Sequence, residues 1–332
     1  MDFYSDLDRF LKSNSNRIRE DLLLSKNNPL YEYYRDRVRG FLQGLPESVK
    51  PPYDICATDG SEYVQELYNG KKFVVARAIS QIQEREYYST YFNVLGMERD
   101  DVQQLVKRIM EDAEHRAALN ALIKEKNCIM VMDGSLSGRF YWGKTNYSGE
   151  IGKDFYNRYM ESFVALLEKA REKKIIILYI SKTSDTGVMK KEIHKNEKSL
   201  PQFVKESNIT DHVLIKSIAE KPCYTEPMLI QGGNTEYNCE FQTIHVLPAM
   251  DDLPMKIDFI IPEGAKTTVE DIVSWMMWGY SGLRSHNIWA SLVDKKVKLS
   301  RDTTRIVMEM FENEIGVWNA ETRGQRRERI RL

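Results

Sequence analysis

Apolar side chains recur three and four positions apart over several long stretches of this chain. The pattern covers residues 3–24 and 29–44, and it returns over residues 98–125 and 149–174. Residues 267–318 show it again, more strongly. Such spacing places the apolar side chains on one face of an α-helix. The sequence therefore predicts helices at both ends of the chain and two long helices in its middle.

Strand-like segments lie between the predicted helices. Three of them come in succession, rich in β-branched and aromatic residues: YDICATDGS (53–61), KKFVVARAISQI (71–82) and REYYSTYFNVLG (85–96). Three consecutive strands joined by short loops predict an antiparallel meander. The apolar runs NCIMVMDGSL (127–136) and KIIILYISK (174–182) are typical of strands that are buried on both faces.

The remaining segments complete the predicted fold. Strands are expected at FQTIHVLP (241–248) and MKIDFIIP (255–262), and the polar region 183–221 predicts short helices. A meander followed by strands that alternate with long helices favours a mixed sheet covered by helices. We therefore expect an α/β fold with a mixed sheet flanked by helices and with helical additions at the N- and C-terminal ends.

The composition is that of a globular protein. The chain has 332 residues, of which 42% are hydrophobic and 29% are charged. This length predicts one large domain or two closely packed ones. The formal net charge of −1 excludes a polycation. Any binding of nucleic acid must therefore come from locally arranged lysine and arginine side chains.

Cysteine usage and the N-terminal segment narrow the class of protein. The four cysteines, Cys56, Cys128, Cys223 and Cys239, form no CxxC pair, which argues against a zinc cluster and a disulfide scaffold. The first 20 residues are charged throughout and lack the apolar core of a signal peptide. No apolar run approaches the ~20 residues of a membrane span. We therefore expect a soluble cytoplasmic protein.

The tripeptide Asp-Gly-Ser occurs twice, each time after an apolar or small-residue run. Asp59 lies in ATDGS and Asp133 lies in VMDGSL, and both are expected where a strand ends in a turn. If the two strands are neighbours, the two carboxylates face each other and stay ionised only with a cation between them. Oxygen ligands favour Mg²⁺ or Mn²⁺, which promote phosphodiester cleavage. An ordinary turn at each site is the alternative.

A third carboxylate is available on the predicted helix that precedes Asp133. Its sequence VKRIMEDAEHRAALNAL offers Glu111, Asp112 and Glu114. Glu111 and Glu114 are three residues apart and share one face of a helix. A solvated charged face is the alternative for each of them.

The late segment GYSGLRSHNIWASL (279–292) contains the other candidate. His286 lies near Tyr280 and Arg284 in an otherwise apolar helical region. An imidazole binds metals and exchanges protons near neutral pH. A hydrogen-bonded core histidine is the alternative.

With these features in this order, the chain resembles the NurA nuclease family over about residues 50–300. The resemblance rests on ATDGS, on VMDGSL with its upstream glutamate helix, on the strand LYISKTS and on the late Tyr…His segment. It implies an RNase H-like fold and a DNA nuclease that depends on Mn²⁺ or Mg²⁺, degrades strands 5′ to 3′ and cuts single strands. It also implies a homodimer that works with a hexameric HerA-type ATPase in DNA end resection, repair or defence.

Residue roles follow from the same resemblance. Asp59, Glu114, Asp133 and His286 would be metal ligands, with Glu111 as the alternative to Glu114. Tyr280 would complete the catalytic site, and Lys182, just past the strand LYISKTS, would contact a phosphate or the scissile region.

The organisation along the chain is expected to be tripartite. An N-terminal helical region (1–48) precedes an RNase H-like nuclease domain (49–320), and the basic tail (321–332) binds DNA or a partner, or only aids solubility. The chain has no GxxxxGK[ST] motif, so a motor would be a separate protein. Two further functions stay open: an RNase H-like ribonuclease or resolvase-type endonuclease, and a non-catalytic subunit that binds DNA or a partner.

Overall fold

The computed structural model of the chain describes residues 2–96, 99–140, 152–182, 184–195, 197–233, 238–282, 287–317 and 320–321. The helices in these ranges are α1 (Phe3–Leu22), α2 (Pro29–Phe41), α3 (Arg99–Lys124), α4 (Leu136–Phe140), α5 (Gly152–Glu172), α6 (Val188–Lys195), α7 (Gln202–Lys205), α8 (Asp211–Ile218), α9 (Val269–Trp278), α10 (Ile288–Val297) and α11 (Arg301–Ile315). The strands are β1 (Leu42–Gly44), β2 (Asp54–Glu66), β3 (Lys72–Ile82), β4 (Arg85–Leu95), β5 (Cys128–Asp133), β6 (Ile176–Ser181), β7 (Cys223–Thr225), β8 (Met228–Gly233), β9 (Asn238–Leu247) and β10 (Met255–Ile260).

All of these strands belong to one mixed sheet. Its order is β1-β7-β9-β10-β6-β5-β2-β3-β4, and β8 pairs with β9 outside this path. The segment β2-β3-β4 is an antiparallel meander, whereas β2, β5 and β6 run parallel to one another. The strands of a parallel group end at the same edge of the sheet, so β5 and β6 deliver their C-terminal residues to a common place.

Helices cover both faces of the sheet. On one face α3 and α5 pack on the meander and on β5, around buried side chains such as Val74, Met130 and Phe163. On the other face α9 and α10 pack on β5, β6 and β10, around buried side chains such as Ile257 and Val293. The strands β5 and β6 are consequently buried on both faces, which explains their unbroken apolar sequence.

Local sequence signals set the helix boundaries. Asn28 accepts a hydrogen bond from the Leu30 backbone and precedes Pro29 in the first turn of α2. Thr268 and Asp271 form a reciprocal capping box at the start of α9. At the end of α11, Gly316 adopts the left-handed conformation with φ +68°.

A separate cluster ties the N-terminal helical part to the middle of the chain. Tyr34 and Val38 of α2 are fully buried against Met189 of α6 and Leu214 of α8. The division into regions 1–48, 49–320 and 321–332 stays a prediction. Residues 322–332 of the basic tail lie outside the described residues.

The observed architecture confirms the predicted fold class, an RNase H-like mixed sheet flanked by helices with helical additions at both ends. The predicted meander, the two buried strands and the two long middle helices are all present, as are the short helices of the region 183–221. Among the described helices, none combines the length and the apolar character that a membrane crossing requires.

Candidate active site

Two acidic side chains lie beside each other on neighbouring parallel strands. In the register of β2 and β5, Thr58 pairs with Met132, and the next residue on each strand is Asp59 and Asp133. Successive side chains on a strand point to opposite faces, so two residues at equivalent positions point to the same face. The condition under which the two carboxylates face each other, that their strands are neighbours, is met.

The first tripeptide does not lie in a turn, which corrects the sequence-based expectation. Asp59 and Gly60 lie inside β2, which continues to Glu66 because β2 stays paired with β3 along its whole length. Only the second tripeptide fits the expectation: Asp133 is the last residue of β5, and Gly134 turns the chain with φ +92°. Thus Asp59 is presented by the middle of a strand and Asp133 by the end of one.

Burial and mutual repulsion make this pair electrostatically unfavourable without a cation. Asp59 is only 7% exposed, and burial, assisted by the charge of Asp133, raises its pKa to about 7. A hydrogen bond from the Gly60 backbone to Asp59 Oδ1 (2.8 Å) acts in the opposite direction. The pair therefore gains from any positive charge placed beside it.

Lys182 supplies one such charge. Its Nζ lies 3.4 Å from Asp133 Oδ1. Burial alone would lower the pKa of Lys182, but the nearby carboxylates of Asp133 and Asp59 outweigh it and raise the pKa. The lysine just past β6 therefore lies at the acidic pair, and its contact with a phosphate stays a prediction.

Glu114 of α3 packs directly on the strand that carries Asp59. A Cβ atom on Gly60 would lie 2.7 Å from Glu114 Oε1, so only glycine allows this approach. Glu114 is 2% exposed, and its Oε2 lies 2.5 Å from Arg139 Nη2. Burial raises the pKa of Glu114 to about 8, although Arg139 acts to lower it, and the charge of Asp59 adds to the increase.

Glu111 has different partners from Glu114. Its Oε2 accepts hydrogen bonds from Arg108 (2.6 Å) and from the hydroxyl of Tyr159 (2.9 Å). Glu114, by contrast, lies against Gly60 beside Asp59. The positions favour Glu114 over Glu111 as the third acid near the aspartate pair.

Arg139 is a buried hub between α3 and the end of β5. Besides Glu114, its Nη2 donates to the backbone carbonyl of Asp133 (2.9 Å), and its Nη1 lies 2.8 Å from His115 Nε2. Burial holds the pKa of His115 well below its usual value, so the ring is neutral and accepts the hydrogen bond. One guanidinium thereby fixes the spacing between the glutamate helix and the aspartate strand.

A second buried polar network holds the loop that follows Asp133. Lys256 and Asp258 of β10 form an ion pair of 2.9 Å. Lys256 Nζ also donates to the hydroxyls of Ser135 (3.0 Å) and Ser137 (2.8 Å), and Asp258 accepts from Ser135 (3.0 Å). Because all four polar side chains have hydrogen-bond partners, the loop is fixed on the sheet.

The late segment is only partly described. The Tyr280 hydroxyl donates to Asp252 Oδ2 at 3.0 Å, and burial with this hydrogen bond raises its pKa to about 12. Its described contacts are therefore with the loop before β10 and not with Asp59 or Asp133. His286 lies outside the described residues, so its assignment as a metal ligand stays a prediction.

The side chains of Asp59, Asp133, Glu114 and Lys182 do not form a complete set of metal ligands. In the described part of the chain, no three His, Cys, Asp or Glu side chains converge closely enough to hold a metal ion. Glu114 is bound to Arg139, and the Lys182 ammonium lies against Asp133. The donor set nevertheless fits a hard divalent cation, because Asp59 and Asp133 are adjacent carboxylates whose repulsion a cation removes.

Two residues of this site have no signal in the sequence. Arg139 follows the second tripeptide in LSGRF. Asp294 lies on α10, and the charge of its side chain raises the pKa of both Asp59 and Lys182. Both come near the aspartate pair only through packing. Nothing in their local pattern separates them from an ordinary helix arginine or aspartate.

A cleft of about 880 Å³ opens beside Asp133. Its walls include Lys107 of α3, Lys182, the exposed side of α6 and residues 229–231 of β8. A volume of this size lies in the upper part of the roughly 300–1,000 Å³ that small-molecule sites occupy. Asp133 is therefore reachable by a substrate through a partly basic cleft.

Gly60→Ala tests the close contact between β2 and α3. The new methyl group would lie 2.7 Å from both Glu114 Oε1 and Met110 Cγ, so we expect a loss of about 1–3 kcal/mol in the free energy of unfolding. Gly40→Ala in α2 is the control, because a Cβ there meets nothing within 4 Å and favours the helix by up to ~1 kcal/mol. Urea unfolding measures both, and equal effects would contradict the proposed contact.

Comparison with known proteins agrees with the geometry. The structure is similar to the NurA nuclease from Sulfolobus solfataricus (TM-score 0.65, 15% identity, covering 95% of this chain and 98% of that one). It is also similar to NurA bound to dAMP and manganese (TM-score 0.60, 13% identity, 91% and 97% coverage). A search of curated protein sequences gave no significant match. In sequence, residues 53–313 match the NurA domain, and because this is well over half of the chain, the protein belongs to the NurA family.

Proposed function

We propose that this protein is a metal-dependent DNA nuclease. The observation that carries the proposal is the adjacent pair Asp59 and Asp133 on neighbouring parallel strands, with Lys182 beside it, at the end of a partly basic cleft. Membership of the NurA family supports it, and relatives of the same fold have been crystallised with manganese and with dAMP.

Asp59 and Asp133 would hold the divalent cation, Mn²⁺ or Mg²⁺, with Glu114 and His286 as further ligands. When bound, the metal polarises a phosphate oxygen and lowers the pKa of a coordinated water. Glu114 would reach the cation through one carboxylate oxygen while Arg139 keeps the other. Its Oε1 is the candidate oxygen, because it lies against Gly60 while Oε2 stays with Arg139.

Lys182 would pass from Asp133 to a phosphate oxygen of the substrate once the cation neutralises the aspartate pair. The pair it leaves is half-exposed, with the two side chains 42% and 35% accessible, so breaking it costs little. Tyr280 would act from the turn that follows α9, where its hydroxyl donates to Asp252 of the loop before β10.

The finer properties rest on the family resemblance. We propose 5′-to-3′ exonuclease and single-strand endonuclease activity, a homodimer, and a HerA-type hexameric ATPase as partner in DNA end processing or defence. The absence of a Walker A motif from the sequence supports a separate motor protein.

The test is a cleavage assay on single-stranded DNA, blunt duplex DNA and single-stranded RNA of one sequence, with Mn²⁺, with Mg²⁺ or with EDTA. We expect cleavage of DNA that depends on the metal and is fastest with Mn²⁺. DNA blocked at its 5′ end by phosphorothioate linkages should resist exonucleolytic degradation, whereas the same block at the 3′ end should not protect it.

Each other outcome selects another function. Cleavage of RNA in preference to DNA would favour the ribonuclease. Binding of Mn²⁺ and DNA without any cleavage would favour the non-catalytic subunit, and the adjacent acids count against that outcome because an unused carboxylate pair is costly.

A further inference from the structure

One wall of the cleft is a short, firmly held helix that the proposed reaction does not use. Helix α6 buries Met189 and Ile193 among side chains of α2 and α8. Its His194 Nε2 lies 2.8 Å from the hydroxyl of Tyr34. The Lys190 ammonium donates to the backbone carbonyls of Ser207 and Ile209. Contacts on three sides thus fix the orientation of this helix.

The fixed orientation points two other lysines at the cleft. Lys191 and Lys195 are exposed, four residues apart and therefore on one face of α6, and both line the cleft that begins at Asp133. Lys182 and Lys107 line the same cleft. The four lysines thus line the same cleft as Asp133.

The backbone of α6 does not compete for an anion. Asp211 accepts hydrogen bonds from the amides of Met189 (2.8 Å) and Lys190 (3.0 Å), so a buried carboxylate already satisfies the N-terminal end of the helix. Any phosphate bound at this wall must be held by side chains. Lysine contacts of this kind position a backbone without reading bases.

Glu192 of α6 places a negative charge on the same wall of the cleft. It also lines the cleft, and it pairs with Lys195 at 2.5 Å in an exposed contact. Exposed pairs of this kind contribute little and exchange readily. A phosphate oxygen can therefore replace the glutamate as the partner of Lys195.

We propose that Lys191 and Lys195 bind the phosphates of one unpaired DNA strand and guide it to the aspartate pair, an inference that rests on the proposed function. The volume of about 880 Å³ accommodates a few nucleotides of one strand.

The binding test uses the full chain in EDTA, where no cleavage occurs, with a fluorescent (dT)₁₂ as probe. The double variant Lys191→Ala/Lys195→Ala should lower the slope of log K against log salt by about 1.4, since each single-strand phosphate contact contributes about 0.7. If the double variant and the unmodified protein bind equally at ~1 M salt, this difference in slope makes the Kd of the double variant ~25-fold weaker at ~0.1 M salt. Unchanged affinity and slope would overturn the proposal.

Two matched variants sharpen the result. Glu192→Gln should tighten binding of (dT)₁₂ about twofold to fivefold, because it removes a competing carboxylate from the wall. Lys205→Ala, an exposed lysine of α7 outside the cleft, should leave the Kd unchanged. Weaker binding by the Glu192 variant, or an equal loss in the Lys205 variant, would refute a specific role for α6.

A 20-base-pair blunt duplex tests the commitment to one strand. The double variant should leave its Kd within about twofold, and a loss equal to that for (dT)₁₂ would show that the wall binds duplex DNA instead. Cleavage of single strands with Mn²⁺ should show a raised KM with kcat nearly unchanged. If the unmodified protein does not cleave at all, the proposed function fails while the binding measurements still decide the role of α6.

Discussion

Replacing Asp133 by asparagine is expected to lower kcat/KM for DNA cleavage with Mn²⁺ by more than about 100-fold, equivalent to ~2.7 kcal/mol of transition-state stabilisation. Asparagine keeps the shape of the side chain but removes the charge that a divalent cation requires. The same variant should bind Mn²⁺ more weakly. Cleavage rates and calorimetric titration with Mn²⁺ measure the two effects.

The fold should be unharmed, which separates this prediction from simple destabilisation. The Asp133 charge raises the pKa of Asp59, so its removal relieves a repulsion. The ion pair that is lost, with Lys182, is half-exposed and contributes little. Urea unfolding should therefore show a stability equal to or slightly above that of the unmodified protein.

Asp36→Asn is the matched control for this variant. Its side chain is 74% exposed on α2, and its described partner is the neighbouring Arg35. It should leave both cleavage and Mn²⁺ binding unchanged. Full activity of Asp133→Asn, or an equal loss in Asp36→Asn, would end the assignment of Asp133 to the metal site.

Much of the fold could be predicted because its strands are long and distinctive. The apolar runs before Asp133 and Lys182 have no alternation, and the structure buries both β5 and β6 on both faces. The strands β1, β7 and β8 were not predicted. β1 and β7 have three residues each, too few for any periodicity, and β8 ends in Gly232-Gly233, which reads as a loop.

The positions of site residues could be predicted from the sequence only where the residues follow adjacent strands of the sheet. Parallel strands carry Asp59 and Asp133 to neighbouring places, and Lys182 follows the next strand. The sequence predicts a turn at Gly60, and this prediction is wrong. The dipeptide Asp-Gly occurs in turns, but a glycine also occurs inside a strand where another element approaches the backbone closely. Only the structure, in which Glu114 packs on Gly60, shows that the second case applies here.

Contacts between distant segments lay beyond the sequence. The pairing of Glu114 with Arg139 joins residues 25 apart on two helices. The hydrogen bond of Tyr280 to Asp252 depends on the loop that precedes β10. Neither leaves a periodic or compositional trace, because many arginines and tyrosines stand in similar local sequences.

Arg139→Met is expected to be the most destabilising substitution near the site. The methionine side chain fills much of the same space but leaves buried acceptors on Asp133 and His115 without their donor. It also leaves Glu114 without a cation. Breaking a buried pair by removing one partner typically costs about 3–5 kcal/mol, and we expect this loss in the free energy of unfolding at pH 9.

The loss should be smaller at pH 6, and the sign follows from Glu114. Its folded-state pKa, raised to about 8, exceeds the ordinary value of 4.5, so its contribution to stability falls as pH rises through this window. Without Arg139 that pKa rises further, and above pH 8 the variant must either ionise Glu114 unpaired or retain its proton at a cost. At pH 6 the side chain is neutral, and only the orphaned acceptors remain, worth about 1–3 kcal/mol.

A second substitution isolates this cause. In the double variant Arg139→Met/Glu114→Gln, residue 114 no longer titrates, so the difference from the unmodified protein should no longer grow between pH 6 and pH 9. Arg305→Met in α11 is the control: both side chains of its pair with Asp302 are more than half exposed, and its loss should stay within about 0.5 kcal/mol. Urea unfolding at both pH values measures all four proteins. A loss of the same size at pH 6 and pH 9 in the single variant would contradict this prediction. It would show that Arg139 stabilises the fold by packing and by its hydrogen bonds, and not by pairing with the charge of Glu114.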